Sequence, residues 1–197
     1  ETIGDLQSVS LYKYQTPYTK PGEALKGNRR QFTWDEGMSA LDKAMVFMKQ
    51  LDHDIRYVQG VTTVATTAEE ALVLGQGVCQ DYTHIMLSLC RMERIPSRYV
   101  VGMLMGEGLS HAWVDICSEA LDRVDPTNNL VVDTQHIKIS SGRDYQDCMI
   151  NQGVFTGFAA QDQHIQVSVK ESFPAAENVT LCKKCALGAH SRRSAAA

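Results

Sequence analysis

The sequence predicts an α+β domain in which helices come first and an antiparallel β-sheet follows. Two observations carry this. Up to about residue 93, apolar residues recur at helical spacing behind capping signals. Beyond Pro96 they alternate in short β-branched runs, bounded by glycines and by an Asp-Pro-Thr-Asn turn. A chain of 197 residues with 44% hydrophobic and 21% charged residues is long enough to bury one proper core.

Residues 1–32 carry turn formers at Pro17, Pro21-Gly22 and Gly27-Asn28 and read as an extended lead-in. Thr33 and Glu36 have capping-box spacing, and Met38, Leu41, Met45, Met48 and Leu51 follow on one helical face. The spacing predicts a helix over about 34–52, its methionines serving as core filler. "IRYV" (55–58) is a short extended piece. Thr67 and Glu70 form a second capping box ahead of "AEEALVL", with Gly75 at the stop position. A helix from Cys79 to about Glu93 comes next. Its Ile85, Met86, Leu87, Leu89, Cys90 and Met92 cover most of the circumference, so it belongs at the centre.

Strands are expected at "RYVVGMLM" (98–105), "HAWVDIC" (111–117) and "LDRVD", which runs into the "DPTNN" turn. Further strands are expected at "HIKIS" (136–140), "QGVFTGF" (152–158) and "HIQVSVK" (164–170). Arg98 and Tyr99 are expected to close the sheet edge. The chain divides into a lead-in (1–32), a core (33–171) and a flexible tail (172–197).

A net charge of −4, with no basic cluster longer than a pair, argues against a nucleic-acid partner. No apolar run reaches membrane-spanning length and no signal peptide is visible, so no membrane insertion and a cytoplasmic location are expected. The six cysteines show no repeated spacing and do not form a disulfide scaffold. Cys182 and Cys185 make a lone CxxC that, even with His190, falls short of four zinc ligands. No metal site and no cofactor are expected.

Cys79 is placed for chemistry. It stands directly after "GQGV" at a helix start, where unpaired N–H groups and the helix dipole favour a thiolate. A thiol nucleophile needs a base, and the base needs a third group to orient it. His111 opens a strand, and Asp125 ends the next one just before Pro126. Spacing alone leaves plainer readings open: a small buried cysteine after a glycine, and a capped histidine at the surface. His84, five residues after Cys79, is too far round the helix to be its base. Asp81 reads as a structural N-terminal residue ahead of a substrate contact. Trp113 shares a strand face with His111 and is either a wall of the cleft or a core aromatic. The Cys79 backbone N–H is one donor for an oxyanion, and no second donor is identified.

Taken together, "TTAEEALVLGQGVCQDYTHIMLSLCRMERIPSRYVVGML", "HAWVDI" and "DPTNN" resemble the core of the transglutaminase-like superfamily. They are most similar to its bacterial members, often described as cysteine proteases. The similarity continues through "HIKISSGRDYQD" and "GVFTGF" to "HIQVSV", covering roughly 34–170. The resemblance implies a papain-like core with the nucleophile helix packed on an antiparallel sheet. It makes Cys79 the nucleophile, His111 the base and Asp125 the residue that orients it. Residues 1–32 then read as the remnant of an upstream β-rich region. One departure is "EALDRVDPT", where the family commonly has an aromatic residue ahead of the aspartate. The implied activity is cysteine-dependent acyl transfer on amide bonds of a peptide or protein, with hydrolysis (peptidase or amidase) favoured. The alternatives are a protein-glutamine transglutaminase with an amine acceptor, and a binding module that keeps the fold without catalysis.

Overall fold

The computed structural model describes residues 6–107, 110–118, 121–149 and 167–170. Along these the chain runs through α1 (Leu6–Leu11), α2 (Glu23–Arg29), α3 (Ala40–Asp54), β1 (Arg56–Tyr57), α4 (Ala68–Leu74), β2 (Gln76–Gly77) and α5 (Cys79–Met92). It continues as β3 (Ser97–Leu104), β4 (Gly106–Glu107), β5 (His111–Cys117), β6 (Leu121–Asp125), β7 (Leu130–Val131), β8 (His136–Gly142) and β9 (Ser168–Val169). A 3₁₀ turn at Tyr145–Cys148 follows β8. The main sheet is antiparallel in the order β7-β6-β5-β3-β8.

Helix α5 packs on β5 and β3 and is buried from Asp81 to Arg91. Ile85, Met86, Leu87, Leu89 and Cys90 are shielded completely and form the core with Phe47, Met48 and Leu51 of α3 and Val114 and Ile116 of β5. The fold is thus the expected α+β arrangement, with the Cys79 helix laid across an antiparallel sheet.

Three expectations are corrected. Residues 1–32 are not simply extended, because they contain α1 and α2. Tertiary contacts override the local turn signals there. The Glu69 carboxylate accepts the N–H groups of Gly22, Ala24 and Leu25, capping α2 from a distance, and Leu25 is fully buried. Buried Arg91 donates to the carbonyls of Tyr12 and Ser97 and to Thr19 Oγ1, which ties the segment to α5. Second, the helix predicted over 34–52 begins only at Ala40. The cap is Ser39, whose Oγ accepts the Asp42 N–H at 3.1 Å. A turn through Gly37 (φ 84) separates it from Trp34, whose Nε1–H donates to Glu93 Oε2. Third, β3 lies between β5 and β8, so Arg98 and Tyr99 do not close an edge. Tyr99 is buried, and Arg98 donates to the buried carboxylate of Asp115.

The second capping box, at Thr67 and Glu70, is present, and Gly75 ends α4. The expected strand at 152–158 and Cys182, Cys185 and His190 lie outside the described residues, as do residues 171–197. Of the run 164–170, Ser168–Val169 forms a strand paired with β4. Among the described residues, no helix is long and apolar enough to cross a membrane.

One close approach shapes the sheet. Gly102 lies opposite His111 on β5 and opposite Lys138 on β8, beside an irregularity in the β3–β8 register. A Cβ at this position would collide with the Ile137 carbonyl and with the Trp113 ring. Glycine therefore lets the indole lie across β3 toward β8.

Candidate active site

Antiparallel pairing of β5 with β6 (Val114 opposite Val124) brings the first residue of β5 to the last of β6. Those residues are His111 and Asp125. Pairing of β3 with β8 (Leu104 opposite His136) carries the start of β8 to the same end of the sheet. The N-terminus of α5 ends there too, with Cys79 as its first residue. Three of these four were named from the sequence, and the structure brings all three together.

The His111 Nε2–H donates to Asp125 Oδ2 at 2.7 Å. Its other nitrogen, Nδ1, is left to meet the Cys79 thiol, which lines the same cleft and interacts with the ring. Burial opposes a charge on this imidazole. The hydrogen bonds with Asp125 and Cys79 outweigh it, and the pKa is pushed up to about 10. Asp125 is fully buried. Burial would raise its pKa, but hydrogen bonds from His111 and His136 hold it well below the usual carboxylate range. The turn after it does the remaining work. Asp125 Oδ1 accepts the N–H groups of Thr127 (3.0 Å) and Asn128 (3.3 Å), and Oδ2 accepts Asn128 Nδ2–H at 2.7 Å. "DPTNN" is a wrapped carboxylate as well as a turn.

Residues 29–126 match the family profile described as the transglutaminase-like superfamily. The chain belongs to this superfamily. An uncharacterized protein of Mycobacterium leprae is 36% identical over 123 residues, 57% of this chain and 44% of that protein. Uncharacterized proteins of Mycobacterium bovis and Mycobacterium tuberculosis are 30% identical over 118 residues, 51% of this chain and 38% of theirs. The matched region thus spans less than half the length of these curated relatives. A crystal structure from Cytophaga hutchinsonii, of a protein provisionally named a cysteine protease, superposes with a TM-score of 0.70. It is 22% identical and covers 87% of this chain and 60% of that one, so it shares the fold.

Within this transglutaminase-like core, Asp81 takes the structural role preferred for it. Its Oδ2 accepts the Val78 N–H and the Thr62 hydroxyl, each at 2.7 Å, at the entrance to α5. Burial raises its pKa, and those two hydrogen bonds pull the other way. His84 is completely buried and accepts the Tyr145 N–H at 3.2 Å, and burial pushes its pKa down to about 3. It stays neutral and structural. Trp113 is buried, its ring centroid 6.3 Å from that of His111 and 5.4 Å from that of His136. It is thus a buried aromatic packed behind both histidines and is not among the cleft-lining residues.

His136 was missed by the sequence reading. Its Nε2 lies 3.3 Å from Asp125 Oδ2 and its Nδ1 3.1 Å from Asp133 Oδ1. The signal was available, because "QHIKIS" opens a strand with histidine as "SHAWV" does. His111, Asp125 and His136 also have donor types suited to a metal, all within 4.8 Å of one another. Both histidine Nε2 atoms meet the shared Oδ2 of Asp125, at 2.7 and 3.3 Å.

Cys79 and His111 open into a cleft of about 740 Å³. Apart from His111 its described lining carries no charged side chain, and it mixes Tyr57, Val64, Val101, Met103 and Met105 with the polar Gln59, Thr62, Thr63, Gln80 and Ser110.

Proposed function

We propose that this chain is a cysteine-dependent acyl-transfer enzyme that cleaves amide bonds in a peptide or protein, a peptidase or amidase with Cys79, His111 and Asp125 as its triad. The observation that carries the reading is the linear array at the cleft. A helix-start thiol and His111 line one cleft and interact across it, and the far nitrogen of His111 is held at 2.7 Å by a fully buried aspartate.

The steps follow from the positions. With the proton given up by Cys79 held on His111 Nδ1, the sulfur attacks the amide carbonyl carbon as the thiolate. Charge collects on the carbonyl oxygen, where the Cys79 N–H, the first of α5, is one donor. The C–N bond then breaks, and His111 gives its proton to the departing amine. A thioester remains. Water attacks it while His111 takes a proton from that water, and the acid leaves as the Cys79 thiol is restored. Asp125 keeps the ring turned with Nε2–H inward and stabilises the imidazolium in both halves. The absence of charged side chains from the described cleft lining beyond His111 suits substrates with uncharged side chains next to the scissile bond.

The test is labelling with a library of peptide-derived thiol-reactive probes, read by peptide mapping and mass spectrometry. An adduct on Cys79 that His111→Ala removes is the expected result. Absence of any Cys79 adduct, or equal labelling in His111→Ala, would sink the reading. Turnover of the best peptide in ¹⁸O-water with a primary amine present separates the acceptors. Label in the released acid marks hydrolysis, and amine in the product marks transamidation.

A further inference from the structure

We propose that His136 is a positioning residue of this site, bridging Asp125 and Asp133 and using a positive charge to loosen the grip of Asp125 on the His111 proton. The inference rests on the acyl-transfer reading for its purpose, but its geometry stands alone. His136 Nε2 faces Asp125 Oδ2 and Nδ1 faces Asp133 Oδ1, and an ionised carboxylate oxygen only accepts. Both aspartates sit below the ordinary carboxylate range. Neither neutral tautomer of the ring can serve both, so the ring donates twice and is an imidazolium. Its side chain is 2% exposed and its ring lies edge to face with Trp113, so solvent does not dilute the charge.

From cleft to surface the groups run Cys79, the His111 imidazolium, Asp125, the His136 imidazolium and Asp133, the last four alternating in sign. The groups shown to act on the two rings are Cys79 and Asp125 on His111, and Asp125 and Asp133 on His136. Oδ2 of Asp125 is shared by both rings, whose centroids are 6.1 Å apart. A lone carboxylate would bind the His111 proton tightly and make it a poor acid toward a leaving amine. A second cation on the same oxygen weakens that hold while keeping the carboxylate in place.

Two measurements test this on the full chain. In the wild-type protein labelled with ¹⁵N-histidine, NMR should find protons on both ring nitrogens of His136 at pH 7. A nitrogen of His136 without a proton there overturns the proposal, with no variant needed. His136→Gln keeps an amide donor for Asp125 but removes the charge. In it, His111 should hold its proton to a pH higher by about 0.5–1.5, a 3- to 30-fold drop in the proton concentration at its midpoint. The alkaline limb of Cys79 alkylation should move the same way. An unchanged or lowered His111 midpoint in a folded His136→Gln protein also overturns it. His84→Gln, at a buried histidine outside the array, should leave the His111 midpoint in place. Wild-type Cys79 that alkylates no faster than an ordinary thiol would break the acyl-transfer reading instead, and the His111 and His136 measurements would still decide this one.

Discussion

Two fully buried aspartates sit in neighbouring strands of the main sheet, and they keep different company. Asp115 on β5 is met by fixed cations. Arg98 donates to its Oδ2 from Nε and Nη2 at 2.9 Å, Lys138 Nζ lies at 3.3 Å, and Arg123 Nε is 3.8 Å from Oδ1. Asp125 at the end of β6 is met by two histidines and a turn. Burial alone therefore does not mark a functional carboxylate. Partners that keep their protons make a brace, and partners that can give them up make a site for chemistry.

The largest expected difference comes from deleting one partner of each aspartate. His111→Ala should lower turnover by about 10³-fold or more and slow Cys79 alkylation at neutral pH. Arg98→Ala should leave the rate per folded molecule within about threefold and cost about 1–3 kcal/mol in urea unfolding. Exchanging the acids comes next. Asp125→Asn should keep the fold and lower turnover by about 10- to 10⁴-fold, because an amide holds the ring but stabilises imidazolium less. Asp115→Asn should show the reverse, a stability loss with activity retained. Loss of activity from Asp115→Asn at unchanged stability would erase the contrast.

Proton linkage sharpens it further. The raised pKa of His111 means that its ion pair with Asp125 contributes stability fully below about pH 6.5. That contribution is lost as pH climbs toward about 10, at no more than about 1.4 kcal/mol per pH unit for one proton. The depressed pKa of Asp125 places its own loss on the acid side, as pH falls through the carboxylate range. Urea midpoints across pH 6–10 should fall less in His111→Gln than in the wild type. The smallest effect belongs to His84. Its lowered pKa makes the fold lose stability as pH drops from about 6.5 toward 3, since the unfolded chain takes the proton first. His84→Gln should flatten that acid limb and leave Cys79 alkylation within about threefold.

What the sequence disclosed follows the same division between local and distant causes. Cys79 was legible because its signal is local, a turn followed by a helix start. The antiparallel sheet was legible in the strand pattern, the roles expected of His111 and Asp125 came through the family resemblance, and β-pairing brought those two residues together. His136 escaped because its place depends on β8 pairing with β3, two strands from β6 in the sheet, which no spacing along the chain reveals. Helices α1 and α2 escaped for the same reason, since Glu69 and Arg91 hold that segment from far along the chain. The start of α3 failed differently. Thr33 and Glu36 satisfy the capping-box pattern, but the turn at Gly37 hands the cap to Ser39.

Gly102 has a consequence for how tolerant this sequence is to change. It offers no side chain to a substrate, yet the Trp113 ring that contacts both histidines rests where its missing Cβ would be. A single methyl group there would tip the indole and push β8 from β3, moving His111 and His136 at once. In a saturation screen scored by activity, position 102 should rank beside Cys79 in intolerance. Its defect would yield to a smaller ring at 113, a rescue that no substitution of the proposed nucleophile permits.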